Sequence, residues 1–251
     1  MLRDHRVHIV RKIRKGLIVG LLMSGCGGPA LGQSESPWLA APRPDPGWAA
    51  RHFELQGELV KENPKVLFLG DSITARWAST GKVFWDESFA PLKAFNAGIE
   101  GETSQGLLWR IRQGEFRRVS PSIVLLMIGT NNLYLTDDRA ITLGIEAVVR
   151  ELHGEFGSAN IVVLGILPRD GVDSPRRAEI RRINHQLKLD ASAAQYGYCD
   201  LGPNLLEVTG ELDRKAYQSD GVHLATEGYR RIVAGIVEAI SDSPWGCSSK
   251  D

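Results

Sequence analysis

A short apolar segment that ends in Gly-Asp-Ser constrains the fold of this chain most. Residues 66–69 are Val-Leu-Phe-Leu, apolar on both faces, which is typical of a buried strand in a parallel sheet. Gly70 permits a sharp turn at the end of that strand, and we expect a helix from about Ile73. Ser72 would then lie at the carboxyl edge of the sheet, where open α/β folds bind ligands and helix N–H groups point at them.

A serine in that position suits attack on a carbonyl if a base and an orienting group accompany it. Asp220 and His223 lie three residues apart in an expected loop just before the last helix. One turn of chain could place the carboxylate beside the imidazole and the imidazole beside Ser72. Taken singly, Gly-Asp-Ser could equally be an ordinary turn rather than a catalytic motif, and Asp-x-x-His could equally be a helix cap. Their occurrence together, at element edges near opposite ends of one domain, favours catalysis.

The rest of the chain alternates predicted strands with predicted helices. Further strands are predicted at residues 93–98, 122–129, 161–166 and, from a weaker pattern, 198–201. Helices are predicted at residues 50–62, from about 103, and at 139–155, 175–195 and 226–240. This alternation predicts an α/β fold with a parallel sheet covered on both faces. The Gly-x-Ser-x-Gly pattern of α/β-hydrolases is missing around Ser72.

Two more predicted strand ends carry candidate site residues. Gly98 ends the second strand, where its backbone N–H could reach a ligand because no side chain blocks the approach. Asn131 follows the third strand, and its side-chain amide could join the donors around Ser72. A plain turn glycine and a turn or cap asparagine remain open as alternatives at this point.

The composition limits the classes of protein to which this chain can belong. The 251 residues are 43% apolar and 24% charged, values of a soluble globular protein with a sizeable core. Residues 1–25 hold six Lys or Arg and one acidic residue, so the remainder has 24 basic and 29 acidic residues, a formal charge of −5. This balance argues against nucleic-acid binding. No Cys/His cluster has metal-ligand spacing, so neither a metal nor a cofactor is expected.

Residues 1–25 are predicted to be a signal segment. A basic stretch ends at Lys15, and the apolar run at 16–23 is too short to span a bilayer but fits a secretory signal. Met23-Ser24-Gly25-Cys26 resembles a bacterial lipoprotein signal. Cys26 would then carry lipid and hold the protein on a membrane, facing the periplasm or the cell exterior. Cleavage near Ala30-Leu31-Gly32, or a cytoplasmic protein with a frayed apolar N-terminus, are the alternatives.

The remaining domain boundaries follow from composition. Residues 26–50 are rich in proline and are predicted to be a tether, or an arm on the domain surface, and residues 51–245 form the globular domain. Cys199 falls in the weak fifth strand, where it could simply pack. A disulfide between Cys199 and Cys247 is possible in an oxidising compartment, although the spacing does not require it.

Four segments together resemble the SGNH or GDSL hydrolase family. They are Gly70-Asp71-Ser72, Asn96-Ala97-Gly98, Gly129-Thr130-Asn131 and Asp220-Gly221-Val222-His223. The resemblance spans roughly residues 50–240. It implies a three-layer α/β/α flavodoxin-like sandwich with a five-stranded parallel sheet, and hydrolysis of small acyl esters.

Within that family, the chain is similar to the branch of the platelet-activating-factor acetylhydrolase catalytic subunits. The segments that carry this similarity are residues 95–103, 108–111, 114–115, 129–132 and 164–169. Those relatives are cytosolic, whereas this chain carries a predicted export signal. Bacterial relatives include esterases that remove acetyl groups from carbohydrates, so an O-acetylated carbohydrate is the expected substrate.

The resemblance also implies roles for individual residues. Ser72 would be the nucleophile, and His223 the base and later the acid, oriented by Asp220. The oxyanion would be held by the N–H groups of Ser72 and Gly98 and by the amide of Asn131.

Three residues adjoin these groups and are predicted to line the acyl pocket, namely Ile73, Thr130 and Val222. Because Ile73 and Val222 are bulky, acetyl esters are favoured over long chains. A lysophospholipase or thioesterase acting on longer acyl chains is one alternative. A non-catalytic surface module that binds glycan is another. The sequence leaves the oligomeric state open.

Overall fold

A computed structural model describes residues 36–241, apart from the side chain of Glu115. The strands are β1 (Val66–Gly70), β2 (Ala94–Asn96), β3 (Ile123–Met127), β4 (Asn160–Leu164) and β5 (Gly197–Cys199). The helices are α1 (Pro46–Glu62), α2 (Ser72–Ala75), α3 (Lys82–Ser88), α4 (Ser104–Arg112), α5 (Asp138–Phe156), α6 (Pro175–Asp190) and α7 (Thr226–Ser241). The predicted signal segment and residues 242–251 lie outside the described residues.

The five strands form one parallel sheet in the order β2-β1-β3-β4-β5. The chain moves from β1 to one side for β2 and then to the other side for β3. A ligand crevice is expected where the order reverses in this way, outside the carboxyl ends of the strands. In the register, Phe68 is opposite Asn96 and Gly70 is opposite Met127, so the predicted site segments follow adjacent strand ends.

Helices cover both faces of the sheet because alternate strand residues point to opposite sides. Leu67 and Leu69 of β1 belong to the core beneath α1, α4, α5 and α6. Val66 and Phe68 belong to the second core, beneath α2, α3 and α7. This arrangement confirms the predicted three-layer α/β/α fold with a five-stranded parallel sheet.

Element boundaries differ from the sequence prediction mainly at helix ends. Helix α1 begins at Pro46 rather than at 50, because the Asp45 side chain caps it by accepting from the N–H of Gly47. Helix α6 ends at Asp190 rather than at 195, and Leu189 in its last turn is exposed. Helix α3 was not predicted. None of its residues is buried, so its sequence lacks the regular apolar spacing by which the other helices were recognised.

Residues 36–50 are part of the segment predicted to be a tether. They lie along the surface of the domain, as in the alternative interpretation of this segment as an arm. Ser104 Oγ donates to the carbonyl of Pro37 at 3.0 Å, and the Ala41 N–H donates to Gln105 O at 3.1 Å. Trp48 is buried and closes a small apolar cluster with Ile99. This part of the proline-rich segment therefore adds to the packed structure.

Cys199 is buried in β5 and is disulfide-bonded. The sequence interpretation that it simply packs was incomplete. The other two cysteines of the chain, Cys26 and Cys247, lie outside the described residues.

Helix α7 is fixed to α2 by one buried tyrosine. Tyr229 Oη donates to the carbonyl of Ile73 at 2.7 Å, and its ring packs edge-on against Trp77 with centroids 4.5 Å apart. Because α2 begins at Ser72 and α7 follows the loop that contains His223, this bond sets the distance between the two ends of the predicted site.

Tyr229→Phe is expected to lower the free energy of unfolding by about 1–3 kcal/mol, since the buried Ile73 carbonyl loses its donor. Urea denaturation of the oxidised protein measures this. Tyr198→Phe is the matched control, because the buried hydroxyl of Tyr198 has no hydrogen-bond partner among the described residues. It should leave stability unchanged or raise it. Equal losses in both variants would show that the Tyr229 bond has no special role.

Candidate active site

The turn after β1 places Ser72 at the first position of α2. A Cβ atom at Gly70 would lie 2.3 Å from the Met127 carbonyl oxygen, so only glycine allows β1 to turn this close to β3. Asp71 caps the helix, with Oδ1 accepting from the N–H of Ile73 at 2.9 Å. Ser72 is 4% exposed, and its own N–H has no partner within the helix.

Asp71 is buried among charged groups, and its pKa is raised to about 7. Burial is the main cause, and the nearby carboxylates of Glu102 and Glu100 act in the same direction. The hydrogen bond from Ile73 and the charge of Arg169 oppose the shift without cancelling it.

His223 and Asp220 lie on the loop before α7, which is closed by backbone hydrogen bonds. The Gln218 N–H donates to His223 O at 2.8 Å. Asp220 Oδ1 accepts from the backbone N–H groups of Val222 and His223, each at 2.9 Å. Asp220 Oδ2 lies 2.6 Å from His223 Nδ1. The loop thus fixes the carboxylate and turns the imidazole so that its Nε2 atom faces α2.

The Asp220 carboxylate is held ionised by these contacts. Burial by itself would raise its pKa, but the bonds from the His223 ring and from the two backbone N–H groups outweigh burial and lower the pKa to about 2.

The structure brings Ser72 and His223 together across 151 residues of sequence. Ser72 Oγ lies 2.9 Å from His223 Nε2. A continuous chain of hydrogen bonds therefore joins Asp220, His223 and Ser72. Exposure rises along it, since the His223 side chain is 21% exposed and the Asp220 side chain 46%. The serine lies at the bottom of the site, and the histidine borders solvent.

Gly98 lies against the backbone of α2. A Cβ atom there would lie 2.4 Å from the Ala75 backbone nitrogen. Its N–H differs from the prediction of an open donor, because it donates to Asn96 Oδ1 at 3.0 Å. The Asn96 amide also donates to the carbonyls of Thr74 at 2.9 Å and Ala75 at 3.1 Å. An oxyanion would have to share the Gly98 N–H with Asn96.

The amide of Asn131 is fixed by one hydrogen bond and leaves a second N–H. Its Nδ2 atom donates to the Glu102 carbonyl at 2.8 Å, and a primary amide has two donor hydrogens. The neighbouring Asn132 is buried and accepts from the Ser104 N–H at 3.0 Å, which ties this loop to the start of α4. Asn131 is therefore held in one orientation before any substrate arrives.

The three residues predicted to line the acyl pocket have different environments. Ile73 is 3% exposed and packs in the second core, so it offers little area to a substrate. Thr130 is buried, and its hydroxyl accepts from Arg169 Nη1 at 3.2 Å. Val222 is half-buried beside His223. The role of each in substrate binding stays a prediction.

Sequence reasoning did not assign roles to four residues that support these groups, namely Asn96, Glu102, Arg110 and Arg169. Arg169 is buried and donates hydrogen bonds to the hydroxyls of Thr130 and Tyr134. Its Nε atom has no hydrogen-bond partner among the described residues. The buried Glu102 and Arg110 form an ion pair at 3.1 Å. The signal for Glu102 was present in Glu100-Gly101-Glu102-Thr103, but a charged segment in a loop usually indicates exposure.

Residues 36–241 contain neither a metal-binding cluster nor a membrane-spanning helix. Within this range, no group of three or more His, Cys, Asp or Glu side chains is arranged to hold a metal ion. No helix in the same range is both long and apolar enough to cross a bilayer.

Comparison with known proteins identifies relatives of the whole domain. The sequence profile of the GDSL-like lipase/acylhydrolase family matches residues 68–231. Platelet-activating factor acetylhydrolase IB subunit alpha1 from Bos taurus is 32% identical over 186 residues, which are 74% of this chain and 78% of that protein. Subunit alpha2 from Homo sapiens is 31% identical over 197 residues, 78% of this chain and 84% of that protein.

Solved structures share the fold. A GDSL-like lipase from Bacteroides thetaiotaomicron has a TM-score of 0.63 at 22% identity, covering 78% of this chain and 97% of that one. An acetylxylan esterase from Geobacillus stearothermophilus has a TM-score of 0.57 at 19% identity, covering 68% of this chain and 91% of that one. The profile match spans most of the domain and agrees with the four motifs. The chain belongs to the GDSL-like lipase/acylhydrolase family of carboxylic ester hydrolases.

Proposed function

We propose that this hydrolase removes short acyl groups, acetyl above all, from esters through a triad of Ser72, His223 and Asp220. The observation that carries the proposal is the unbroken chain of hydrogen bonds, 2.9 Å from Ser72 Oγ to His223 Nε2 and 2.6 Å from His223 Nδ1 to Asp220 Oδ2. Nucleophile, base and orienting group are in reach of one another before substrate binds.

In this mechanism, Ser72 Oγ attacks the ester carbonyl carbon as His223 Nε2 takes the hydroxyl proton. The tetrahedral intermediate collapses to an acyl-serine, and His223 gives the proton to the departing alkoxide oxygen. Water then attacks the acyl carbon as it loses a proton to the same nitrogen. The second tetrahedral intermediate breaks its bond to Ser72 Oγ, His223 returns the proton to that oxygen, and the carboxylic acid leaves. Asp220, whose pKa is lowered to about 2, stabilises the imidazolium formed in both steps.

The negative charge on the carbonyl oxygen would be met by donors already in place. The N–H of Ser72, which has no partner within α2, and the second N–H of Asn131 are two such donors. The Gly98 N–H would contribute by sharing with Asn96. Donors that need no rearrangement stabilise the transition state more than flexible ones do.

The proposed acetyl preference rests on the names of relatives. The proposed type of alcohol rests on a fold neighbour and on the solvent exposure of His223. The sequence relatives are named acetylhydrolases, and a fold neighbour is an acetylxylan esterase. His223, which would protonate the leaving alcohol, borders solvent, so a bulky alcohol such as a carbohydrate chain could be accommodated. A series of p-nitrophenyl esters should give the highest kcat/KM for acetate, whereas a maximum at long chains would favour the lysophospholipase or thioesterase alternative.

The proposal includes export and a lipid anchor at Cys26. The basic and apolar segments before Met23-Ser24-Gly25-Cys26 have the pattern of a lipoprotein precursor. The disulfide at Cys199 is consistent with an oxidising compartment, where such bonds persist. Several acyl chains on one cysteine would hold the domain stably on a membrane surface.

Ser72→Ala is expected to lower kcat for acetyl esters by roughly 10⁶-fold without changing the thermal midpoint, because loss of a triad nucleophile removes the covalent route. Steady-state kinetics of purified protein measures it. Ser79→Ala, at an exposed serine on the same segment, should retain full activity. A Ser72→Ala variant with more than about a tenth of the wild-type rate would contradict the mechanism. An inactive wild type would favour the glycan-binding alternative.

The raised pKa of Asp71 predicts a pH-dependent stability. A carboxyl with a higher pKa in the folded chain than in the unfolded chain contributes stability that is complete below the unfolded value of 3.8 and is lost as the pH rises through about 7. Asp71→Asn keeps an oxygen that accepts from Ile73 but removes the titration. Between pH 4 and 7 the wild type should lose stability relative to this variant, by up to about 1.4 kcal/mol per pH unit. A constant difference in the free energy of unfolding would contradict the prediction.

Cys26→Ser should move the full-length protein from the membrane to the soluble fraction of a bacterial host, or leave it unprocessed. Ser34→Ala, which leaves the lipoprotein signal and all three cysteines intact, is the control and should stay with the membrane. Mass spectrometry of the mature N-terminus measures the modification directly. An unmodified start at Gln33, or an intact residue 1, would contradict the lipid anchor and leave the esterase proposal standing.

A further inference from the structure

A buried ion pair lies directly behind the proposed oxyanion donors. Glu102 Oε2 accepts from Arg110 Nη1 at 3.1 Å, and the two side chains are 0% and 1% exposed. Trp48 Nε1 also donates to Oε2 at 3.1 Å, and the Thr103 N–H donates to Oε1 at the same distance. Both charges are therefore removed from water and held by several fixed partners.

Each member of the pair makes a second bond to a different part of the proposed site. Arg110 Nη2 donates to the Ala97 carbonyl at 2.8 Å. That carbonyl belongs to the same peptide unit as the Gly98 N–H. The Glu102 backbone carbonyl accepts from Asn131 Nδ2 at 2.8 Å. One ion pair thus reaches both the glycine peptide and the asparagine amide.

Stability alone does not explain such a pair. Taking two charges out of water costs several kcal/mol per ion, and apolar residues of the same shape are often as stabilising. The fold also reserves space for the carboxylate, since a Cβ atom at Gly106 would lie 2.3 Å from Glu102 Oε1. A costly buried pair with a reserved space suggests a function that apolar packing could not perform.

We propose that Glu102 and Arg110 are positioning residues that fix the Gly98 peptide and the Asn131 amide in the orientation the oxyanion requires. Arg110 holds the carbonyl side of the glycine peptide, and a cation there also polarises that peptide so that its N–H donates more strongly. Glu102 holds its own loop, and so the carbonyl that orients Asn131. This inference rests on the proposed hydrolytic function, because it names the charged residues that would hold the oxyanion donors of that reaction in place.

The test replaces both charges at once, because removal of one partner strands the other charge and costs about 3–5 kcal/mol. Arg110→Met combined with Glu102→Gln should fold with a thermal midpoint near that of the wild type. Its kcat for p-nitrophenyl acetate should fall about 10–100-fold with KM within about 2-fold, since misplacing donors costs less than the roughly 10²–10³ of losing one. Inhibition by a boronic acid, which mimics the tetrahedral intermediate, should weaken in parallel with kcat.

The matched control is Arg112→Met with Glu151→Gln, which removes a partly exposed ion pair between α4 and α5. It should keep the wild-type kcat. Gly106→Ala is a second variant that retains both charges but displaces the Glu102 carboxylate, and it should lower kcat in the same way. Should the Arg110/Glu102 double variant fail to fold, Gly106→Ala decides the matter.

A double-mutant cycle with Asn131→Ala separates positioning from general structural damage. If the pair acts partly through Asn131, its replacement should cost at least 3-fold less in kcat when Asn131 is already alanine. Equal losses of kcat in both backgrounds would overturn the inference, and so would an unchanged kcat in folded Arg110/Glu102 and Gly106 variants. In either case an active wild type would still support ester hydrolysis. An inactive wild type would overturn both.

Discussion

The site depends on two places where the backbone comes too close for any side chain. A Cβ atom at Gly70 would lie 2.3 Å from the Met127 carbonyl oxygen, and one at Gly98 would lie 2.4 Å from the Ala75 nitrogen. The first contact brings the end of β1 against β3, and the second brings the segment after β2 against α2, which begins at Ser72. A parallel sheet brings its carboxyl ends to one edge, and the glycines turn that shared edge into a compact site.

The two sides of the site differ in burial. On the side where the carbonyl oxygen would lie, Glu102, Arg110 and Arg169 are buried and bonded to groups that cannot rearrange. On the side of the leaving alcohol, Asp220 and His223 border solvent on a loop closed by its own hydrogen bonds. Rigid donors stabilise a developing charge, and an open edge admits a large alcohol. This division follows from where the fold places its charges and agrees with acyl transfer from a bulky ester.

The sequence was sufficient for the strands and for the residues that end them. Apolar runs such as 66–69 have few alternatives to a buried strand, and each site residue predicted from a strand end does lie at that edge. The supporting network could not be predicted, because Glu102, Arg110 and Arg169 are charged residues that normally remain exposed. Their burial depends on partners distant in sequence, such as Trp48 for Glu102. The bond from Gly98 to Asn96 was also missed, although an asparagine side chain often accepts from the backbone N–H two residues further on.

The central claim is that Ser72 becomes covalently acylated, and covalent labelling tests it most directly. The wild-type protein is treated with a fluorophosphonate, digested with trypsin and examined by mass spectrometry. We predict one label, on Ser72 in the peptide Val66–Arg76, and no label when the reaction is preceded by heat unfolding, because activation requires the 2.9 Å contact with His223. Labelling of another serine, or of none in a folded and active protein, would contradict the account.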